Sequence, residues 1–336
     1  MGADLGGAVT LLTEERAEQH VAASALTAAY PGLVGLAVDL PLCAAGAARR
    51  TRLRHGFLSV RPERVAVSGP PSPGLEVALA RMAEDLEAAA VAVPAQTTGP
   101  GVRVSLEAGT EDDSPTGLRR RWAVAHAIAP VLTAAFANRP GPGGARTMRR
   151  SPDPAGDEPD PRRQWARQVL DAPVTAAGIT ASTFRQWIRE GPDDPPILAD
   201  LDQHRRAFRP PVAARGHLEI SVADRQPGHG WAVPAAVVTT LIEDPLAAAE
   251  ALVATAGLAG APRLWERAAG DALADPELAA AARSLFLSAY AALARRGAPR
   301  PVRDAVGGYL ERYVLRGRCP ADDLIERRGA VKLTEN

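Results

Sequence analysis

The chain has 336 residues, 46% of them hydrophobic, 23% charged and only 4% aromatic, so a sizeable core built largely from small side chains is expected. Formal net charge is zero, which excludes the whole-chain basic footprint of a nucleic-acid-binding protein. Two cysteines, Cys43 and Cys319, are too few and too far apart for a disulfide framework or a CxxC metal site.

Nearly every basic residue is arginine, Lys332 being the one lysine, a pattern read as compositional bias and not as phosphate binding. No basic residue precedes Arg16, so a secretory leader is not expected and a cytoplasmic protein is. Two long uncharged stretches occur. Val21 to Val38 is interrupted by Pro31-Gly32, and Trp122 to Asn138 carries His126 and Pro130, so neither reads as a membrane span.

In chain order, Thr13 with Glu14 and Glu15 predicts a helix start, ended by Tyr30-Pro31-Gly32. Leu33 to Leu40 reads as a buried strand and Arg64 to Val67 as a short one. Ser72-Pro73 is expected to cap a helix carrying Leu75, Leu79, Met82 and Leu86 on one face. Val102, Val104 and Leu106 alternate with Arg103, Ser105 and Glu107, the signature of a strand with one buried face. Thr116 to Asn138 is an amphipathic helix.

Residues 139–161 are rich in Pro, Gly and charge, with a basic half (Arg146, Arg149, Arg150) ahead of an acidic one (Asp153, Asp157, Glu158, Asp160); they are expected to form a flexible loop, either simply solvated or serving as a substrate lid. Helices follow near 162–171, 182–189 and 198–208. Arg215 to Ala223 is the last clear strand, with His217, Glu219 and Ser221 on its polar side, and from Pro234 onward the pattern is helical. Single strands scattered among helices point to an α+β fold with an antiparallel sheet. Neither GxGxxG nor GxxxxGK occurs, so a nucleotide would have to bind by another route.

Several stretches carry a collective likeness: GLRRRWAVAHAIAPVLTAAFAN (117–138), RQWARQVLDAPV (163–174), STFRQWI (182–188), LADLDQHRRAFRPPVAARGHLEI (198–220), WAVPAAVVTTLIEDP (231–245), DALADPELAAAAR (271–283) and YLERYVLRGRCPADDL (309–324). In order and spacing the chain resembles the actinobacterial glutamate–cysteine ligases of ergothioneine biosynthesis. That resemblance implies a funnel-like antiparallel sheet of the glutamine-synthetase and carboxylate–amine-ligase type, wrapped by helices, with a helical C-terminal part. It further implies one ligase-like domain over 1–336, within which the composition makes 139–161 an expected flexible loop and 325–336 an expected loose tail. The implied reaction joins glutamate to cysteine with ATP and Mg2+ through an acyl phosphate. Acidic side chains must then hold the metal that bridges the phosphates, and arginines steady the anions.

The acids are where this chain departs from the family. The expected Gly-x-Glu-x-Glu strand reads Gly35-Leu36-Ala37-Val38-Asp39, and Ser68-Gly69-Pro70-Pro71 stands where a Gly-Gly-Gln-x-Glu segment is implied. Gln-x-Asn becomes Arg103-Val104-Ser105, and the arginine expected after Glu219 is Ser221. Candidate metal ligands are Asp39, Glu107 and Glu219. Candidate cofactor-binding residues are the same three with Arg103, which is able to fill space once taken by metal. Catalytic candidates are Glu219 and Arg215, although Glu219 reads equally as a sheet carboxylate paired with an arginine. His204 is expected to be a satisfied helix histidine and Cys319 a packing residue.

Three readings follow: a catalytically degenerate ligase homologue, an active ligase with a reorganised metal site that uses glutamate, cysteine and ATP, or a non-catalytic partner of an authentic ligase subunit. No nucleic-acid or membrane partner is expected. The composition of 139–161 also predicts that limited proteolysis cuts there first; earliest cleavage inside 117–138 or 215–223 would contradict it.

Overall fold

A computed structural model describes residues 11–40, 48–61, 64–90, 101–151, 158–174, 181–191, 195–226 and 228–334. The elements are α1 (Glu14–Ala23), β1 (Leu33–Leu40), β2 (Arg49–Arg52), β3 (Phe57–Arg61), β4 (Arg64–Ser68), β5 (Ser72–Pro73), α2 (Gly74–Ala90), β6 (Val102–Leu106), α3 (Leu118–Ala135), α4 (Pro161–Leu170), α5 (Phe184–Glu190), α6 (Leu198–Ala207), β7 (Val212–Ala214), β8 (Leu218–Ile220), α7 (Ala232–Glu243), α8 (Pro245–Thr255), α9 (Leu264–Gly270), α10 (Pro276–Arg295), α11 (Arg300–Arg312) and α12 (Pro320–Thr334). The protein is α+β, with an antiparallel sheet order of β2-β3-β4-β1-β6-β8-β7 and β5 added beside β1. The chain forms two compact units. One gathers Met1–Leu26, Pro152–Arg209 and Ala214–Gly216, and the other holds Thr27–Ser151, Pro210–Ala213 and His217–Asn336.

The smaller unit is helical. Thr13 caps α1 by accepting from the Arg16 N–H, and Asp160 caps α4 ahead of Pro161, so both helices begin at a side-chain acceptor. Trp165, Leu170, Phe184 and Leu201 are fully buried between these helices. Arg185 joins three carboxylates, Glu14, Glu18 and Asp171, at 2.9, 2.9 and 2.6 Å. His204 bonds the Val169 carbonyl through Nε2 at 2.8 Å and stacks on Phe184; burial lowers its pKa, and the carbonyl opposes that shift. It is a satisfied helix histidine whose partner is backbone and not an acid.

The larger unit holds the sheet and the remaining helices. Along β1, β6 and β8 the apolar positions Val34, Leu36, Val38, Val102, Val104, Leu106, Leu218 and Ile220 are buried, and α2 and α7 pack against the sheet. Behind them α3 is enclosed on nearly every side, with Ile128 and Leu132 fully buried. Phe136, Phe286 and Tyr309 meet with ring centroids 5.2 to 5.7 Å apart. The Cys319 thiol is buried, and burial raises its pKa, which is the condition of a packing residue and not of a nucleophile. Cys43 lies outside the described residues. No helix among the described residues is long and apolar enough to cross a membrane.

Five local features add to or differ from the sequence reading. The hairpin β2–β3 was not anticipated, because its first strand is Arg-Arg-Thr-Arg and wholly exposed. Arg50 lies 3.7 Å from the centre of the Phe57 ring across the pair, which gives a charged strand an apolar partner. Ser72-Pro73 does not cap α2 but pairs with Leu33 and Val34, and α2 starts at Gly74, whose φ is +76°. Of the strand expected over 215–223 only β8, Leu218–Ile220, forms; β7 precedes it at Val212–Ala214, and Gly216 with φ +80° stands between the two. Residues 139–151 are irregular but tethered: Arg146 bonds Asp322 at 2.9 Å, and Arg149 bonds Asp224 at 3.0 Å and the Ser221 carbonyl at 2.5 Å. At the C-terminus α12 continues to Thr334, through part of the stretch expected to be loose.

His126, on α3, sits against Trp122 at 4.5 Å, and its Nε2 is sealed from solvent with no hydrogen-bond partner among the described residues. Desolvation lowers its pKa from 6.5 to about 4. Between these values the unfolded chain binds the proton and the folded chain does not. Stability is therefore complete above about pH 6.5 and falls as pH drops towards 4, by roughly 3 kcal/mol at most. Replacing His126 with Gln is expected to flatten the acid limb of denaturant-measured stability over that window; an unchanged limb would assign the acid sensitivity elsewhere.

Candidate functional site

The apolar alternation turns the intervening residues of β1, β6 and β8 to the opposite face. Register sets Gly35 opposite Ser105, and Ser105 opposite Glu219. In the next row Ala37 lies between Arg103 and Ser68. A cleft of about 370 Å3 opens over this face, with Gly35, Ala37, Ser68 and Ser105 contributing small side chains and Glu107, His217 and Glu219 its ionisable ones. A Cβ on Gly35 would stand 3.2 Å from the Ser105 Cβ, so the floor is tightly packed. Glu107 also caps a strand end, its Oε2 accepting the Leu33 N–H at 2.8 Å.

The other candidates are placed differently. Asp39 follows Ala37 on the same strand face but lies outside the lining of the cleft. It is 2% exposed, and its two oxygens accept from Arg64 Nε at 2.6 Å and Nη2 at 2.7 Å. This is a bidentate fork that occupies the carboxylate. Arg215 belongs to the smaller unit, where it donates to the carbonyls of Arg205 (2.6 Å) and Phe208, with its guanidinium 5.6 Å from the Trp165 ring. Arg103 stands across from Ala37 but does not line the cleft.

The expected ligand set of Asp39, Glu107 and Glu219 is thus divided, with two acids along the cleft and the third held by Arg64. Among the described residues no group of three or more His, Cys, Asp or Glu side chains is arranged to hold a metal ion. Two carboxylates, one of them serving a backbone N–H, do not fit the multi-ion magnesium site that acyl-phosphate chemistry favours. No reaction step is derived through such a site.

Sequence reasoning missed Arg64 as the partner of Asp39 and Arg121 as the anchor of the Glu107 strand end. Arg121 is 1% exposed and donates to the Glu107 carbonyl at 2.9 and 3.1 Å and to Glu243 at 2.5 Å. An arginine on the apolar stripe of a helix was the available signal for Arg121. For Arg64 there was none, because strand register is not legible in the chain.

An antiparallel sheet with its apolar face on helices and its polar face under a cleft is consistent with the carboxylate–amine ligase class. Residues 80–335 match the family described as Glutamate-cysteine ligase family 2 (GCS2), and the chain belongs to that family. It is 33% identical over 256 residues to "Glutamate--cysteine ligase EgtA" of Mycolicibacterium smegmatis, an alignment covering 69% of this chain and 57% of that protein. It is 31% identical over 266 residues to the protein of the same name from Mycobacterium tuberculosis, with the same two shares. The chain therefore spans 57% of the length of these curated relatives. The family match begins inside α2, so β1 and β4, with Ala37, Asp39 and Ser68, precede it.

Arg64→Ala is expected to destabilise the protein by about 3 kcal/mol, because it leaves the buried Asp39 carboxylate unpaired. Asp39→Ala combined with Arg64→Ala should cost less than the sum of the single losses in urea denaturation. Strict additivity would mean that the two side chains do not act as a pair.

Proposed function

We propose that this protein is a divergent glutamate–cysteine ligase homologue in which coupling is lost or nearly lost. One observation carries the reading: Ala37 and Ser68 face each other across β1–β4, where the resemblance implies carboxylates. A methyl group cannot ligate a cation, and a hydroxyl is a poor replacement for an acid. Bringing the glutamate carboxylate to a triphosphate stacks negative charge on negative charge, and its neutralisation in the transition state is usually the largest catalytic contribution. The Asp39–Arg64 pair supports the same reading, since an arginine already satisfies the acid that would otherwise face a metal.

The substrates in question are glutamate, cysteine and ATP with Mg2+, the set implied by the names of the relatives and by the chemistry of the class. A cytoplasmic location accords with dependence on ATP and reduced cysteine. Ergothioneine biosynthesis is the process to which the resemblance assigns the protein, either as a weak ligand-binding homologue or alongside a complete ligase.

Purified protein incubated with glutamate, cysteine, ATP and magnesium is expected to form γ-glutamylcysteine at least about a thousandfold more slowly than a competent family enzyme, on the order of 4 kcal/mol in barrier height. Robust turnover, abolished by Glu219→Ala, would establish instead an active ligase whose acids are supplied differently.

A further inference from the structure

In the larger unit α8 and α10 run antiparallel, side by side. Arg295, at the end of α10, bonds Asp244, at the start of α8, at 2.9 Å, and at the other end of the pair Ala254 and Gly257 share a hollow with Glu277 and Ser284. Their inner residues, such as Ala247, Ala251, Leu285 and Ala292, are buried. Their outer residues are not covered. Leu246 and Val253 of α8 and Leu287 and Tyr290 of α10 stand exposed, Val253 at 78%. These are four of the ten large hydrophobic side chains exposed among the described residues, gathered on one pair of neighbouring helices. Scattered singly, such residues need no explanation; gathered on one face, they mark an interaction surface.

The pattern along α10 selects the occupant. With about 3.6 residues per turn, Ala280, Leu287 and Ala294 point most directly outward, Arg283 and Tyr290 lean to one flank, and Glu277 and Arg295 lean to the other. The first flank borders α11, where a Cβ on Gly307 would lie 3.3 Å from the Tyr290 ring. The second borders α8, through the Arg295 bond to Asp244.

This row is complementary to itself when reversed. A twofold axis lying across the helix at Leu287 sets α10 antiparallel on its copy and keeps each flank on its own side. Ala280 then meets Ala294 of the second copy, and Leu287 meets its equivalent. On one flank Arg283 meets the Tyr290 ring; on the other Glu277 meets Arg295. No like charges are brought together along the row. Arg283 has no ion pair or side-chain hydrogen bond within its own chain among the described residues, which leaves its guanidinium available for such a contact. The same rotation carries Leu246 of the second copy over the hollow of about 280 Å3 bordered by Ala254, Gly257 and Ser284.

Size sets the strength. A helix of 20 residues is about 30 Å long, and α8 alongside makes the face roughly 20 Å wide. Pairing two such faces buries on the order of 1,200 Å2 in total, the lower end for specific interfaces. That extent fits a reversible dimer and not an obligate one.

We propose that the chain forms a weak homodimer through α8 and α10, with α10 packed antiparallel on its copy about Leu287. The surface lies apart from the ligase-like cleft, and the proposal does not depend on the coupling reaction.

Sedimentation velocity of the full chain between about 1 and 100 µM is expected to show monomer passing to dimer, with a Kd of about 10 µM. Leu287→Glu sets two carboxylates against each other at the axis. It should keep the chain monomeric over that range with an unchanged thermal melt, because the side chain is exposed. Glu277→Arg and Arg295→Glu each place like charges together and should each weaken the dimer about tenfold. An equimolar mixture of these two variants should regain the association of the unaltered chain, since every such pair in the mixed dimer is again of opposite sign. A chain that stays monomeric at about 100 µM would overturn the proposal and leave the face to a different protein. Dimerisation untouched by Leu287→Glu, or a mixture no more associated than its components, would overturn it as well.

Discussion

The period-two alternation of β1, β6 and β8 against α2 and α7 is the constraint on which the remaining geometry depends. Eight side chains, Val34, Leu36, Val38, Val102, Val104, Leu106, Leu218 and Ile220, are each no more than 4% exposed. At about 1.5–3 kcal/mol for each buried aliphatic group, their burial outweighs any contact made on the opposite face. A slip of one residue would turn them all outward, so register is strongly specified. Gly35, Ala37, Ser105 and Glu219 consequently reach the cleft whatever their chemistry. This separation of fold from site accounts physically for a recognisable family member with an acid-poor floor.

Two arginines hold the larger unit's polar geometry in place. Arg64 closes on Asp39 from the neighbouring strand and satisfies both oxygens of its buried carboxylate. Arg121 ties the Glu107 carbonyl at the end of β6 to Glu243 at the end of α7. Buried pairs of this kind contribute little net stability against an apolar replacement, yet they are costly to break from one side. Their contribution here is to position the strand end and helix end.

Much of the fold was legible in the chain because burial has a period. Strands β1, β4 and β6, the long helix α3 and the helical C-terminal half all follow from apolar spacing and caps. The hairpin β2–β3 was not legible, since Arg49, Arg50 and Arg52 present no apolar stripe and the pair is held by backbone bonds and the Phe57 ring. For the site, strand parity correctly put Glu107 and Glu219 on the polar side, and both line the same cleft. Parity gives the face but not the row, so Asp39 shares the face yet falls beyond the cleft. Arg215 was grouped with Glu219 because the resemblance implies both on one strand; Gly216, in the left-handed region, separates Arg215 from β8 and leaves it bonded to the Arg205 and Phe208 carbonyls.

The family match includes the closely packed helices of the larger unit. It covers 80–335, where α3, α7, α8 and α10 pack through alanines and other small residues at close range. In such an interface an added methylene forces neighbouring backbones apart, and a lost one leaves a cavity, so either change costs about 1–5 kcal/mol. On the polar faces of β1 and β4, which precede the match, Gly35 and Asp39 are closely packed, whereas Ala37 and Ser68 border the cleft. Ala37 and Ser68 line the cleft and contribute no charge to it. A change at Ala37 or Ser68 therefore alters the chemistry of the cleft more than the core, whereas the α10 face around Phe286 offers no such freedom, because there side-chain volume and fold are the same quantity.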